Sequence, residues 1–167
     1  SQYFAEKLTD SGGVYVVPAF TGLGAPYWDM HTRGAVLGLS RGTGAKHLIR
    51  AALESVAYQT NDVIRAMEAD MGALRALRVD GGAAANDFLM QFQADISDLP
   101  VFRPESMEAT ARGAASLAGL ACGLFTDRDA VQATLRAGTS FTPSMSPDQR
   151  EALLSGWHRA VEACRVF

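Results

Sequence analysis

The segment Leu77-Arg78-Val79 indicates a short buried strand that stops abruptly at Asp80-Gly81-Gly82, and helical periodicity follows over residues 85–97. A buried strand that leads through a glycine turn into a helix is a basic unit of α/β proteins. The rest of the chain therefore has to supply further strands and helices around this unit. The predicted apolar face of the helix consists of Phe88, Leu89, Phe92 and Ile96.

Other segments alternate between strand and helix character along the chain. Further strands are predicted at residues 14–17, 35–39 and 100–104, and further helices at 44–71, 110–123, 127–137 and 147–166. This order predicts an α/β fold with some parallel pairing. Three or four strands are few for a free-standing α/β domain, so we expect an incomplete sheet. Tyr3, Phe4 and Leu8 indicate the last turns of a helix, as expected for a fragment of a longer protein.

The longest predicted helix, residues 44–71, is followed by Gly72 in a helix-ending position. Its acidic residues are expected to lie on a solvated face: Glu54, Asp62, Glu68 and Asp70. Its apolar residues are expected to form one buried stripe: Leu48, Ile49, Ala52, Leu53, Val56, Ile64, Met67 and Met71. The predicted helix at 110–123 is dense in small residues, which permits close approach of a neighbouring segment.

Composition and charge exclude several classes of function. The formal net charge is −3, so no basic surface argues for nucleic acid as a partner. No apolar stretch approaches the roughly 20 residues that span a bilayer, so no membrane association is expected. Cys122 and Cys164 have no metal or redox spacing, and we expect a reduced, cytoplasmic compartment.

The turn after residue 79 is the sharpest candidate site. Ligands of open α/β sheets bind beyond the carboxyl ends of the strands, and glycines there let a ligand approach the backbone. Asn86 could cap the following helix or bind a ligand. Asp80 could hold a metal-bound water, although orientation of the turn through local N–H bonds is favoured. An ordinary tight turn with a cap remains an alternative.

The remaining candidates are weaker. The loop at residues 20–29 suits the edge of a cleft, but packing of Tyr27 and Trp28 beneath the loop is favoured. Neither the P-loop pattern nor the dinucleotide-binding glycine pattern is complete in this chain. A surface or helix-capping position is expected for each histidine: His31, His47 and His158.

Several ordered segments resemble the FGGY carbohydrate kinases. Residues 34–39 and 47–54 resemble the C-terminal signature of that family. Within the family, residues 16–29, 77–95 and 111–115 resemble the glycerol kinases. The resemblance covers roughly residues 13–157 and implies part of an actin-like, ribonuclease-H-like ATPase domain, with an incomplete mixed sheet flanked by helices.

The resemblance implies transfer of the ATP γ-phosphoryl group to glycerol, with Mg²⁺ held through the nucleotide. Gly82 and Asn86 match family residues that contact the adenine nucleotide, and Gly81 and Ala83 shape the same turn. The general base and most of the glycerol site lie upstream in the family. The chain alone, residues 1–167, is therefore expected to be an inactive part of the C-terminal domain of a homo-oligomeric kinase. Another FGGY polyol or sugar kinase, or a non-catalytic nucleotide-binding scaffold, remains an alternative.

Overall fold

The computed structural model describes residues 1–105, 108–134 and 138–167. Within these ranges the helices are α1 (Gln2–Ala5), α2 (Ala45–Met71), α3 (Asp87–Ser97), α4 (Ala109–Ala121), α5 (Arg128–Gln132) and α6 (Pro147–Arg165). The strands are β1 (Tyr15–Val17), β2 (Ala35–Leu37), β3 (Leu77–Arg78), β4 (Val101–Arg103) and β5 (Thr139–Phe141). Part of the helix predicted at 127–137 lies outside the described residues. No helix within them has the length and apolar character needed to cross a membrane.

The strands form two small sheets. β1 and β2 form an antiparallel pair, and the second sheet has the order β3-β4-β5. In that sheet β3 and β4 are parallel, with Leu77 opposite Val101, and β4 and β5 are antiparallel, with Val101 opposite Phe141. The predicted α/β class with parallel pairing is therefore confirmed. β5 was not predicted, because a three-residue strand with one apolar side chain carries no periodicity.

The core lies where α2, α3 and α6 meet the first sheet. Tyr58 of α2 stacks on Trp157 of α6 with ring centres 5.3 Å apart, and Phe92 of α3 meets Tyr58 edge-on at 5.5 Å. Tyr15 of β1 lies against α6 at Gly156, where an added Cβ would be 2.0 Å from the tyrosine hydroxyl. These contacts fix the position of α3, and hence of the segment that leads into it.

The predicted orientation of α2 was wrong. Of the apolar stripe only Ile64 is buried, whereas Val56, Met67 and others are exposed. Glu54 and Asp62 were predicted to be solvated but are buried, with 2% and 5% of their surface exposed. Each of the two carboxylates has hydrogen-bond partners: Arg50 Nε donates to Glu54 Oε1 at 2.7 Å, and the Tyr27 hydroxyl and Trp157 Nε1 donate to Asp62 Oδ2. Burial nevertheless raises the pKa of Glu54.

Among the described residues, one small residue of α4, Gly119, lies in close contact with a neighbouring segment. Gly119 is the buried residue of this helix, and an added Cβ there would lie 2.7 Å from the ring of Phe125. Most of the other described α4 residues are exposed, including Leu117. The expected close packing therefore occurs within the local turn that follows the helix.

Candidate functional site

The turn between β3 and α3 lies at the carboxyl end of a parallel strand, where open α/β sheets bind ligands. Gly81 has φ 81° and ψ 176°, a conformation that is essentially restricted to glycine. A short 3-10 helix, Gly82–Ala85, follows, and α3 begins at Asp87 rather than at the predicted residue 85. The first amides of the 3-10 helix have no intrahelical acceptor, so they remain available on its open side.

Asn86 is the N-cap of α3. Its Oδ1 accepts a hydrogen bond from Leu89 N at 3.1 Å, which satisfies one of the first amides of the helix. Within the described residues its Nδ2 donates no hydrogen bond. The side chain therefore caps the helix through one atom and leaves a donor for a second partner.

Gly81 needs to be glycine because of its backbone conformation, whereas Gly82 does not. Its backbone is not in the left-handed region, and a Cβ built on it meets no heavy atom of the described structure within 4 Å. The residue is exposed. The described chain therefore tolerates a side chain at this position, and its absence leaves free space directly over the backbone of the turn.

Two side chains hold the back of the turn. Gln2 Oε1 accepts a hydrogen bond from Asp87 N at 3.1 Å, which joins α1 to the start of α3. Arg103 Nη1, at the end of β4, donates to Ala84 O at 2.8 Å. Sequence reasoning identified neither residue, because both contacts depend on tertiary packing.

Asp80 is exposed and accepts no hydrogen bond from the described residues, so the favoured interpretation of Asp80 as the residue that orients the turn was wrong. It lines a groove of about 740 Å³ together with three arginines, Arg78, Arg103 and Arg112. Among the described residues no group of three His, Cys, Asp or Glu side chains is placed to hold a metal ion.

The loop at residues 20–29 is anchored by Asp62 of α2. Asp62 Oδ2 accepts hydrogen bonds from the Tyr27 hydroxyl at 2.9 Å and from Trp157 Nε1 at 2.7 Å. His158 Nε2 lies 3.1 Å from Asp62 Oδ1. Burial and the neighbouring Asp62 carboxylate raise the pKa of Tyr27. Packing was predicted for Tyr27 and Trp28, yet Trp28 is 76% exposed and has φ 50°.

The loop and the glycine turn contact different parts of α2. The guanidinium of Arg50 lies 4.9 Å from the ring centre of Phe88, in the first turn of α3, whereas Tyr27 contacts Asp62. Arg50 and Asp62 are twelve residues apart, which is about 18 Å along a helix axis. The structure therefore does not bring the two candidate sites together.

The expected surface or capping positions are confirmed for all three histidines, since His31 and His158 are exposed and His47 lies at a helix start. His47 Nδ1 accepts a hydrogen bond from Gly44 N at 3.1 Å at the start of α2, as expected for a capping residue. His31 is exposed. His158 is the partner of the buried Asp62, a role that sequence spacing could not indicate.

The chain matches a family model and many relatives. Residues 2–122 match the C-terminal domain of the FGGY family of carbohydrate kinases. A glycerol kinase of Carboxydothermus hydrogenoformans is 59% identical over 168 residues, which is all of this chain and 34% of that protein. Glycerol kinase 2 of Pseudomonas aeruginosa is 60% identical over 99% of this chain and 33% of that protein. The chain spans about a third of the length of these curated relatives.

Solved structures show the same relationship. A crystal structure of Plasmodium falciparum glycerol kinase with ADP superposes on this chain with a TM-score of 0.89 and 36% sequence identity. The match covers 98% of this chain and 33% of the Plasmodium chain. Xylulose kinase from Rhodospirillum rubrum covers 99% of this chain, which spans 34% of that protein, with a TM-score of 0.80 and 24% identity, a likeness of fold alone. The expected fold class, part of an actin-like ATPase domain, is confirmed by these likenesses. The chain belongs to the FGGY family of carbohydrate kinases.

Proposed function

We propose that this chain forms part of the nucleotide site of an ATP-dependent glycerol kinase. In the full-length enzyme the γ-phosphoryl group of ATP is transferred to a hydroxyl of glycerol. Gly82 and Asn86 contact the adenine nucleotide, and Gly81 and Ala83 give the turn its shape. Phosphoryl transfer depends mostly on positioning and electrostatic stabilisation, so a backbone surface that holds the nucleotide is a direct contribution to catalysis.

The open space over Gly82 carries this proposal. The glycine is required neither by a left-handed backbone nor by a close neighbour within the described chain. An approaching ligand does require it, because a side chain would separate the ligand from the backbone amides. Asn86 adds a side-chain donor on the same turn, and the relative of known structure with a TM-score of 0.89 was solved with ADP.

Glycerol is favoured over other FGGY substrates by the pattern of identities. The curated relatives at 56–60% identity are glycerol kinases, whereas the xylulose and gluconate kinases among the solved structures are 19–24% identical. Most of the glycerol site lies in the upstream two-thirds of the enzyme. Phosphorylation of a panel of polyols and ketoses by the full-length enzyme tests this assignment, and preference for a substrate other than glycerol would contradict it.

In the proposed enzyme Mg²⁺ would be held through the phosphates of the nucleotide. Within the described residues no cluster of carboxylates, histidines or cysteines is placed to bind the cation directly. The ion neutralises charge on the transferred phosphoryl group when it is bound. The part of the site described here contributes the backbone turn and its supporting side chains, which orient the nucleotide.

The experiment that tests the nucleotide assignment is Gly82→Val in the full-length enzyme. We expect ADP affinity, measured by calorimetry, to fall by at least about 100-fold, because the branched side chain occupies the space over the turn. Gly113→Val is the control, since Gly113 lies on α4 and also has open space around it. Unchanged ADP affinity in Gly82→Val would refute the assignment.

The second test uses the chain alone. We expect no ATP-dependent phosphorylation of glycerol by residues 1–167, because the family places the general base and the glycerol site upstream. Addition of the upstream part as a separate polypeptide, or its covalent attachment, is expected to restore turnover. Robust turnover by the isolated chain would contradict the predicted division of the active site.

A further inference from the structure

One arginine joins the glycine turn to the sheet behind it. Arg103 Nη1 donates both to Ala84 O at 2.8 Å and to Asp87 Oδ1 at 2.7 Å. The same nitrogen therefore reaches the 3-10 helix and the first residue of α3. The side chain of Arg103 is 16% exposed and that of Asp87 is 57% exposed, so the bond to Ala84 O is better shielded from water than the bond to Asp87.

The guanidinium is itself held in place by β5. Arg103 Nη2 lies 3.4 Å from Thr139 Oγ1, and the guanidinium carbon lies 5.2 Å from the ring centre of Phe141. A planar guanidinium fixed on an aromatic ring presents its donors in a defined direction. The position of Ala84 O, and with it the orientation of the peptide groups of the turn, therefore depends on the pairing of β4 and β5.

We propose that Arg103 is a positioning residue for nucleotide binding, which sets the orientation of the Gly82–Ala85 turn without being a nucleotide ligand. The proposal rests on the function proposed above. Its basis is that both hydrogen bonds of Arg103 Nη1 end on the turn or on the first residue of α3, at Ala84 O and Asp87 Oδ1. Loss of the guanidinium would free Ala84 O from the sheet and let the exposed amides of the turn move.

The chain contains a matched arginine at the opposite end of α3. Arg150 Nε donates to Asp95 O at 2.6 Å, and Arg150 Nη2 pairs with Asp98 Oδ1 at 2.7 Å. Its side chain is 13% exposed and that of Asp98 is 56% exposed, against 16% for Arg103 and 57% for Asp87. Both arginines thus bind one carbonyl and one carboxylate of the α3 region, but only Arg103 contacts the turn.

The experiment compares Arg103→Met and Arg103→Lys with Arg150→Met and Arg150→Lys in the full-length enzyme. Calorimetry gives ADP affinity, steady-state kinetics give KM for ATP and for glycerol, and thermal unfolding gives Tm. We expect Arg103→Met to weaken ADP binding and to raise KM for ATP by about tenfold, with KM for glycerol unchanged. Arg103→Lys keeps the charge but loses the planar fork, so an intermediate loss is expected.

The Arg150 variants are expected to lower Tm as the Arg103 variants do, but to leave ADP affinity within about twofold. Equal ADP affinity in Arg103→Met and the unchanged enzyme, together with loss of binding in Gly82→Val, would overturn the role of Arg103 and leave the proposed function intact. Unchanged affinity in Gly82→Val would instead overturn the proposed function. If Arg103→Met does not fold, Arg103→Lys is judged by the same criterion: ADP affinity equal to that of Arg150→Lys contradicts the proposal.

Discussion

Two glycine-containing connections of this chain, residues 20–29 and residues 81–86, are stabilised by different kinds of contact. The loop at residues 20–29 is held from within: Leu23 and Asp29 exchange two backbone hydrogen bonds at 2.6 and 2.9 Å, and Tyr27 is bound to the buried Asp62. The turn at residues 81–86 is held from behind, by Arg103 and by the Asn86 cap, and its outer side is open.

The glycines show this difference most directly. At Gly22 an added Cβ would lie 2.6 Å from Met30 Cα, so glycine is needed there for the chain to pack against itself. At Gly82 an added Cβ meets no described heavy atom within 4 Å. A glycine that the fold requires says little about a ligand, whereas a glycine that the fold does not require leaves room for one.

The largest effect is expected from Asp62→Ala, which tests whether the loop depends on its buried anchor. The change leaves the Tyr27 hydroxyl and Trp157 Nε1 without their acceptor, which should lower the free energy of unfolding by about 3 kcal/mol or more. Urea unfolding of the full-length enzyme measures the loss. Asp70→Ala, at an exposed position of the same helix, is the control and should change stability by less than about 0.5 kcal/mol.

A pair of alanine substitutions compares the two connections at their glycines. Gly22→Ala introduces a clash with backbone at a residue with φ 97°, so a loss of about 2 kcal/mol or more is expected. Gly82→Ala should change the free energy of unfolding by less than about 0.5 kcal/mol, because its surroundings are open. Equal destabilisation by both substitutions in a urea titration would remove the distinction between the two glycines.

The local part of this comparison could be predicted from the sequence. The strand, the glycine turn and the helix that follows are set by neighbouring residues, so the unit was predicted to within two residues of the start of α3. The cap at Asn86 was likewise among the expected roles. The alternation of strands and helices also predicted some parallel pairing, and the structure has it between β3 and β4.

The contacts between segments distant in sequence, and the buried face of α2, could not be predicted from the sequence. The buried face of α2 includes Glu54 and Asp62, because Arg50 of the same helix bonds to Glu54, and Tyr27 and Trp157, both distant in sequence, bond to Asp62. Periodicity of apolar residues does not reveal such partners. Arg103 lies near Ala84 because β4 pairs with β3, which is 24 residues earlier in the chain. The contact of Arg103 with the turn therefore depends on strand pairing, whereas the glycines of the turn can be identified from the sequence.

Asn86 permits a sharper test, since it combines a structural contact and a proposed ligand contact in one side chain. Asn86→Ala removes the cap and should lower the free energy of unfolding by about 1 kcal/mol. Asn86→Ser keeps an N-cap oxygen but removes the amide Nδ2, so stability should be largely retained while ADP affinity falls. Paired measurements of urea unfolding and ADP calorimetry check this. If Asn86→Ser keeps both stability and ADP affinity, Asn86 acts only as a helix cap and does not contact the nucleotide.

The smallest effect concerns the pH dependence of the loop. The neighbouring Thr32 side chain and the hydrogen bonds that Asp29 accepts from His31 N at 2.9 Å and Thr32 N at 3.1 Å lower the pKa of Asp29 to about 2. A carboxyl whose folded pKa lies below its ordinary value of 3.8 contributes stability above that value and loses it as the pH falls toward 2. The Tm difference between the unchanged enzyme and Asp29→Asn should therefore be constant above about pH 5 and shrink between pH 4 and pH 2. Asp70→Asn, at an exposed position of α2, is the matched control substitution. A constant difference down to pH 2 would mean that the Asp29 carboxylate does not stabilise the loop, which would then be held by the Leu23–Asp29 backbone bonds and by Asp62.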